Sequence, residues 1–177
     1  VIGAGYVGLI TGIGFAKLNH QVSIVDLNDD LIKNLNENRP PFYEPELVDY
    51  LNDSNIRNNL FFSTSYQKSI NENTDIVFVC VQTPTDPDTG KTKTDYISSV
   101  LTELKKIESF NFIICIKSTI KANIVERISN EIDLDYKKII FNPEFLREGS
   151  AFYDFFNPDR IVIGGSDQRG LNQCTEL

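Results

Sequence analysis

The sequence predicts an α/β fold, with a doubly wound parallel sheet and helices on both faces. Short runs rich in Val, Ile and Phe alternate along the chain with stretches that carry apolar residues at helical spacing. The strand-like runs are largely continuous in apolar residues, which is typical of parallel strands buried on both faces. A length of 177 residues favours one domain that can bury a core without disulfides or metals.

Six segments have the character of strands. They are residues 22–25, 60–62, 76–81, 112–116, 138–141 and 160–163. Four segments between them have the periodicity of helices with one apolar face. They are residues 6–18, 29–36, 96–107 and 120–132. Two long loops, 38–47 and 83–95, contain several prolines, and loops of this length in a compact domain are often functional.

The composition argues against several classes of partner and site. A formal net charge of −8 disfavours nucleic acid or an anionic membrane as the main partner, because both require a basic surface. No apolar run in the sequence approaches the roughly 20 residues of a membrane span. Cys80 and Cys115 lie in strand segments and Cys174 in a polar tail, and their spacing indicates no metal site. Reduced thiols in a cytoplasmic protein are the simplest interpretation.

The chain begins with the pattern G-x-G-x-x-G, in Val-Ile-Gly-Ala-Gly-Tyr-Val-Gly, between an apolar run and a helix. In such a turn Gly3 permits the tight bend, Gly5 lets the backbone approach a pyrophosphate, and Gly8 allows close packing of helix on strand. The N–H groups that open the helix then favour phosphates. The pattern taken alone is weak support for a dinucleotide site.

An acidic residue strengthens this interpretation. Asp26 follows the strand segment 22–25 and lies 18 residues after Gly8, where a dinucleotide-binding unit has the carboxylate that binds the ribose 2′-hydroxyl. Such a carboxylate repels the extra phosphate of NADP, and the next residues, Leu27 and Asn28, add no positive charge. The sequence therefore predicts a Rossmann-like site for NAD.

A second polar segment, residues 142–149, reads Asn-Pro-Glu-Phe-Leu-Arg-Glu-Gly and follows the strand segment 138–141. Asn before Pro is typical of a helix start, which would place Glu144 and Glu148 on one face, with Arg147 beside Glu144. Two carboxylates and a guanidinium at the carboxyl edge of a sheet can bind a polar ligand or move a proton. The alternative is a capped helix with ordinary ion pairs. A cofactor predicted at the same sheet edge favours the functional interpretation.

Six ordered motifs span nearly the whole chain. They are G-A-G-Y-V-G-L at 3–9, P-F-Y-E-P-E-L at 41–47, V-C-V-Q-T-P-T at 79–85, K-S-T at 117–119, N-P-E-F-L-R-E-G at 142–149 and P-D-R-I-V-I-G at 158–164. Together they resemble the NAD-binding domain of the UDP-glucose/GDP-mannose 6-dehydrogenase family. Glu46 and Gln82 stand where the family often has glycine, and Lys-Ala-Asn at 121–123 replaces Pro-x-Gly. These departures are expected to disturb turns near the cofactor or the substrate.

The resemblance implies an activity. The family oxidises the C6 hydroxyl of a nucleotide sugar to the acid in two hydride transfers to NAD, through a cysteine thioester. The chain looks most like the UDP-glucose branch, which yields UDP-glucuronate; GDP-mannose and UDP-N-acetylhexosamine are the alternatives. A 3-hydroxyacid or 6-phosphogluconate type of dehydrogenase shares the glycine turn, but the segment 142–149 speaks against it.

The resemblance also implies site residues. Glu144 would be the general acid/base, and Thr119 would orient a water. Cofactor contacts fall on Gly3, Gly5, Tyr6, Val7, Gly8, Asp26, Thr83, Pro84, Ser118, Thr119 and Glu148. Substrate contacts fall on Glu144, Phe145, Leu146, Arg147 and Glu148. Thr119 has the alternative of a helix N-cap, and Arg147 that of an ion pair with Glu144 or Glu148.

The family's nucleophilic cysteine and catalytic lysine follow this domain, in a linking helix and a second nucleotide-sugar domain. None of the three cysteines matches that nucleophile. We therefore expect residues 1–177 to be an NAD-binding fragment that does not turn over alone and that belongs to a homo-oligomer at full length. The alternative from another class is a free-standing NAD-binding module that never catalyses.

Overall fold

The computed structural model describes residues 1–107 and 111–177, and the chain divides into two compact units. The first unit contains Val1–Ile70 and Glu144–Ile161, and the second contains Asn71–Pro143 and Val162–Leu177.

The described residues form five strands and nine α-helices, numbered in chain order. The strands are β1 (Val22–Val25), β2 (Leu60–Ser63), β3 (Ile76–Val79), β4 (Ile113–Ile116) and β5 (Ile139–Phe141). The helices are α1 (Tyr6–Lys17), α2 (Asp29–Asn36), α3 (Leu47–Asn52), α4 (Ser54–Arg57), α5 (Tyr66–Ser69), α6 (Asp95–Lys106), α7 (Ala122–Glu131), α8 (Ala151–Phe156) and α9 (Gln168–Glu176).

In the first unit, β1 and β2 pair in parallel, with Val22 opposite Leu60. The first residues of the chain extend along the other side of β1. Ile2 forms a parallel bridge with Val25, and the Gly3 N–H donates to the Val25 carbonyl over 2.8 Å. The end of β1 and the glycine turn therefore lie at the same edge of this sheet.

Helix α1 packs closely on both β1 and α8, and two glycines make this possible. A Cβ on Gly12 would lie 2.5 Å from Ile24 Cδ1, and one on Gly14 would overlap the ring of Phe155. The Phe15 ring meets Phe155 edge to face, with 5.3 Å between the ring centroids. These contacts fix α1 in the core of the unit, and with it the turn from which α1 starts.

In the second unit, β3, β4 and β5 pair in parallel in that order, with Cys115 opposite Phe78 on one side and Ile140 on the other. Helix α9 packs against β5, since a Cβ on Gly170 would lie 2.8 Å from Ile140 Cγ1. One turn later, Cys174 lies near Cys115. Interaction with the Cys174 thiol, together with burial, raises the pKa of Cys115, and the same interaction lowers the pKa of Cys174.

The predicted α/β class, with parallel strand pairing, is confirmed. Five of the six predicted strands and all four predicted helices correspond to observed elements within two residues at each end. The strand predicted at 160–163 is wrong. In the described structure that stretch pairs with no strand, Ile161 and Val162 are exposed, and Gly164 beyond it forms an antiparallel bridge to Phe141.

The helix start predicted at Asn142 is wrong as well. Residues 142–147 have no regular secondary structure, and α8 begins only at Ala151. Glu144 and Glu148 therefore do not share a helical face. Within the part of the chain that the structure describes, no helix is long and apolar enough to cross a bilayer.

Candidate cofactor-binding site

The glycine turn joins the residues beside β1 to the start of α1. Gly3 has a φ of 96°, in the left-handed region that favours glycine. Gly5 is the N-cap of α1, and a Cβ built on it meets no atom of the structure within 4 Å. No side chain among residues 1–107 and 111–177 caps this helix, and its first turn carries no acid. The start of α1 thus combines uncapped N–H groups with open space, which suits a phosphate.

Asp26 follows β1 directly and reaches the glycine turn. Its carboxylate accepts hydrogen bonds from the Ala4 N–H over 2.8 Å and from the Asn28 N–H over 3.0 Å. An ionised carboxylate has about four acceptor positions, so about two remain for hydroxyl donors of a ligand. The structure therefore brings together the two features that the sequence predicts for one dinucleotide site.

Glu44, which the sequence pattern did not single out, connects the glycine turn with the chain just before α8. Glu44 as a whole is only 3% exposed. It accepts hydrogen bonds from the Tyr6 hydroxyl over 2.9 Å and from the N–H groups of Gly149 and Ala151 over 2.9 and 2.8 Å. The pKa of Tyr6 is raised, most strongly by burial and next by the hydrogen bond to Glu44. The glutamate within the motif P-F-Y-E-P-E-L at 41–47 is the sequence signal that could have identified this residue.

Glu144, the predicted acid/base, turns its side chain back onto its own loop. It is partly buried, and its Oε2 accepts a hydrogen bond from the Leu146 N–H over 2.6 Å. Glu148 is exposed. Phe145 is 46% exposed, and the guanidinium carbon of Arg160 lies 4.5 Å from its ring centroid. The structure therefore holds Glu144 in place and leaves Phe145 and Glu148 open to a ligand.

The ion pair of Arg147 with Glu144 or Glu148, its alternative interpretation, is wrong. Arg147 binds Asp154 on α8 instead, through its Nε over 3.1 Å and its backbone N–H over 2.9 Å. The hydrogen bond from the Arg147 side chain lowers the pKa of Asp154 from 3.8 to about 2. The sequence pattern did not indicate this partner, because it did not predict α8.

In the second unit, hydroxyl groups join the loops that follow β3 and β4. Thr83 Oγ1 donates to the Thr119 carbonyl over 2.8 Å, and Ser118 Oγ donates to a carbonyl of the loop after β3 over 2.6 Å. The side chain of Thr119 does not cap α7, because Lys121 is the N-cap of that helix. The N-cap alternative for Thr119 is therefore wrong. Pro84 and Thr119 are exposed, whereas Thr83 and Ser118 are partly buried.

Asn142 connects neighbouring loops of the second unit and caps no helix. Its Oδ1 accepts a hydrogen bond from Lys117 Nζ over 3.0 Å, and its Nδ2 donates to the Val162 carbonyl over 2.9 Å. These bonds engage both ends of the amide, which explains why Asn142 does not start a helix as its position before Pro143 suggests.

Comparisons with known proteins agree with this geometry. Residues 1–177 match the model of the UDP-glucose/GDP-mannose dehydrogenase family, NAD binding domain. The UDP-glucose 6-dehydrogenase of Rhizobium meliloti is 38% identical over 184 residues, which cover 100% of this chain and 42% of that protein.

Two solved structures are similar to this chain. A UDP-glucose dehydrogenase from Pyrobaculum islandicum aligns with a TM-score of 0.86 and 34% identity over 99% of this chain and 42% of its own. A GDP-mannose dehydrogenase from Pseudomonas aeruginosa aligns with a TM-score of 0.89 and 26% identity over the same shares, 99% and 42%. The chain thus spans less than half the length of these relatives.

Proposed function

Because this chain belongs to the UDP-glucose/GDP-mannose dehydrogenase family and matches its NAD-binding domain, we propose that it holds NAD for the oxidation of UDP-glucose. One observation carries the proposal: the uncapped, open start of α1 with Asp26 beside it. Both features are needed for a dinucleotide, since one suits the phosphates and the other the ribose.

The first unit supplies the contacts to the pyrophosphate and the adenosine ribose. Gly3 makes the bend, and Gly5 leaves room for the phosphates to approach the backbone. The N–H groups that face the pyrophosphate are those at the start of α1, from Tyr6, Val7 and Gly8. Asp26 accepts from the ribose hydroxyls with its remaining acceptor positions and repels the 2′-phosphate of NADP.

Further cofactor contacts are proposed from the family resemblance. They are those of Thr83, Pro84, Ser118 and Thr119 in the second unit and of Glu148 in the first. The hydroxyls of Thr83 and Ser118 already bind backbone carbonyls, so these two residues chiefly shape their loops. The exposed side chains of Thr119 and Pro84 are open to a ligand.

NAD, when bound, supplies the hydride acceptor, and the proton is handled by the protein. Glu144 suits this task, because its Oε2 is held by the Leu146 N–H and no described residue is hydrogen-bonded to its Oε1. A partly buried carboxylate held in this way can act as a general base towards the sugar hydroxyl. Thr119 orients a water, and substrate contacts are proposed for Phe145, Leu146, Arg147 and Glu148.

The similarity to relatives supports UDP-glucose as the nucleotide sugar. The two that are named for UDP-glucose share 38% and 34% identity with this chain, against 26% for the GDP-mannose dehydrogenase. GDP-mannose and UDP-N-acetylhexosamines are the alternatives within the same chemistry. A free-standing NAD-binding module without catalysis is the alternative from another class, and a complete protein with a downstream catalytic cysteine and lysine would exclude it.

Calorimetric titration of the purified chain tests the cofactor. We expect it to bind NAD⁺ more tightly than NADP⁺. Asp26→Asn should reduce this preference, whereas Asp30→Asn, the same change at an exposed position of α2, should keep it. A wild-type chain that binds no NAD⁺, or that prefers NADP⁺, would refute the proposal.

Formation of NADH, followed by its absorbance, tests the substrate. The complete protein should oxidise UDP-glucose in preference to GDP-mannose and UDP-N-acetylmannosamine. The chain alone should form no NADH, because the family's catalytic cysteine and lysine follow this domain. NADH production by the chain alone would contradict that expectation, and a complete protein that prefers another sugar would refute the assignment to UDP-glucose.

A further inference from the structure

Glu44 is a carboxylate in the core of the first unit, with 3% exposure, although glutamate is seldom fully buried unless it is paired. Its three donors are neutral groups: the Tyr6 hydroxyl and the N–H groups of Gly149 and Ala151. They lie 38, 105 and 107 residues away along the chain. A buried carboxylate satisfied by such donors fixes all of them in space, because loss of a donor leaves charge uncompensated.

These donors belong to two parts of the proposed site. Tyr6 is the first residue of α1 and follows Gly5 directly, so its hydroxyl anchors the turn that faces the pyrophosphate. Gly149 and Ala151 mark the start of α8, just after the segment 144–148. The Glu44 carboxylate therefore accepts hydrogen bonds both from the residue that follows the glycine turn and from the backbone at the end of the segment 144–149.

We propose that Glu44 is a positioning residue that holds the start of α1 and the segment 144–149 in one arrangement. The inference rests on the proposed function, because it gives Glu44 a part in NAD binding through Tyr6. Glu44 itself is enclosed by its donors, so it acts through them and not on the cofactor.

A glutamine at this position has the right size but the wrong set of donors and acceptors. One carboxylate oxygen, Oε2, receives Tyr6 and Gly149, and the other, Oε1, receives Ala151. An amide presents N–H₂ in place of one oxygen. The backbone N–H groups of Gly149 and Ala151 cannot reverse their direction. Whichever way the glutamine amide is turned, its NH₂ therefore faces one of these two donors, and the backbone that carries that donor must move.

Calorimetric titration with NAD⁺ tests the role. Glu44→Gln should raise the Kd for NAD⁺ by about tenfold, which corresponds to about 1.4 kcal/mol. The matched control is Glu46→Gln, the same chemical change on an exposed side chain two residues away, which should leave the Kd unchanged. Both variants are compared at a temperature at which circular dichroism shows them folded.

A spectroscopic signature separates this role from a loss of general stability. In the wild type, burial and Glu44 raise the pKa of Tyr6, and burial and Glu126 raise that of Tyr136, so two of the seven tyrosines should titrate late in ultraviolet absorbance. Glu44→Gln should make Tyr6 ionise at lower pH and leave Tyr136 unchanged, although Glu148 and Asp154 still face Tyr6. Tyr6→Phe should leave Tyr136 as the late-titrating tyrosine and so identify the signal of Tyr6.

The outcomes are distinct. A wild-type chain that does not bind NAD⁺ refutes the proposed function and the positioning role with it. If the wild type binds, equal Kd values for Glu44→Gln and Glu46→Gln overturn the role of Glu44 and leave the proposed function standing. If Glu44→Gln does not fold, Tyr6→Phe decides: a Kd raised about threefold supports the anchoring of the turn, and an unchanged Kd overturns it.

Discussion

Replacing Gly5 by alanine should weaken NAD binding by about 100-fold or more and leave the fold intact. The φ of −75° at Gly5 is open to any residue, and the added Cβ meets no atom of the structure within 4 Å. The new methyl group projects into the space that we assign to the pyrophosphate. The protein therefore tolerates the change, whereas the cofactor does not.

The two effects differ in size. Alanine is a poorer N-cap than glycine by about 1 kcal/mol, but it also reduces the freedom of the unfolded chain, which offsets about 0.4–1 kcal/mol. The free energy of unfolding should therefore change by less than about 1 kcal/mol. In the complex, a methyl group that separates the pyrophosphate from two N–H donors removes two hydrogen bonds to a charged group. At about 1.5 kcal/mol or more each, their loss weakens binding by about 100-fold or more.

Urea denaturation measures the first quantity and calorimetric titration with NAD⁺ the second. Gly164→Ala is the control, because a Cβ at Gly164 also meets open space but lies outside the proposed pyrophosphate contacts. It should leave both quantities unchanged. A Gly5→Ala variant that binds NAD⁺ within about threefold of the wild type would show that the pyrophosphate does not lie at this turn.

Three other changes test the site's surroundings. Asp154→Asn removes a carboxylate whose pKa is lowered to about 2, so its stabilising effect is present above pH 3.8 and lost as the pH falls towards 2. The difference in melting temperature between wild type and variant should shrink over that window, and a difference independent of pH would contradict the pairing with Arg147. Iodoacetamide should label the partly buried Cys174 before Cys115, as mass spectrometry can show; equal rates would contradict their placement. Glu46→Gly should raise the free energy of unfolding by about 0.5 kcal/mol, because residue 46 has a φ of 67°; a urea midpoint below that of the wild type would contradict this.

The strands were predictable from sequence because their Val, Ile and Phe content reflects burial on both faces of a sheet. The same signal failed at 160–163, where Ile161 is 67% exposed. Apolar β-branched residues indicate that a segment can form a strand, but a strand also needs a neighbour to pair with. Residues 160–163 pair with no strand in the described structure, and nothing local in the sequence shows this.

The glycine turn and Asp26 were also predictable from the sequence. The glycine turn and Asp26 are joined by a short stretch of chain, so their spacing alone indicates that they meet. The segment 142–149 depends on distant partners instead. Asn142 binds Lys117, and α8 starts late because Glu44 binds the N–H groups that precede and open it. Local helix signals cannot anticipate such contacts.

The motif at 41–47 and residues 144–149 are therefore best understood together, although about 100 residues separate them. Gly149 has a φ of 88°, which excludes most side chains, and in that conformation it donates to Glu44. Each residue is required by the other: without the left-handed conformation the Gly149 N–H would not reach the carboxylate, and without the carboxylate that N–H would lose its acceptor. Glu144, which we propose as the acid/base, lies five residues before Gly149 and takes its position from that pair, so the proposed chemistry of the segment depends on a loop for which no chemical role is proposed.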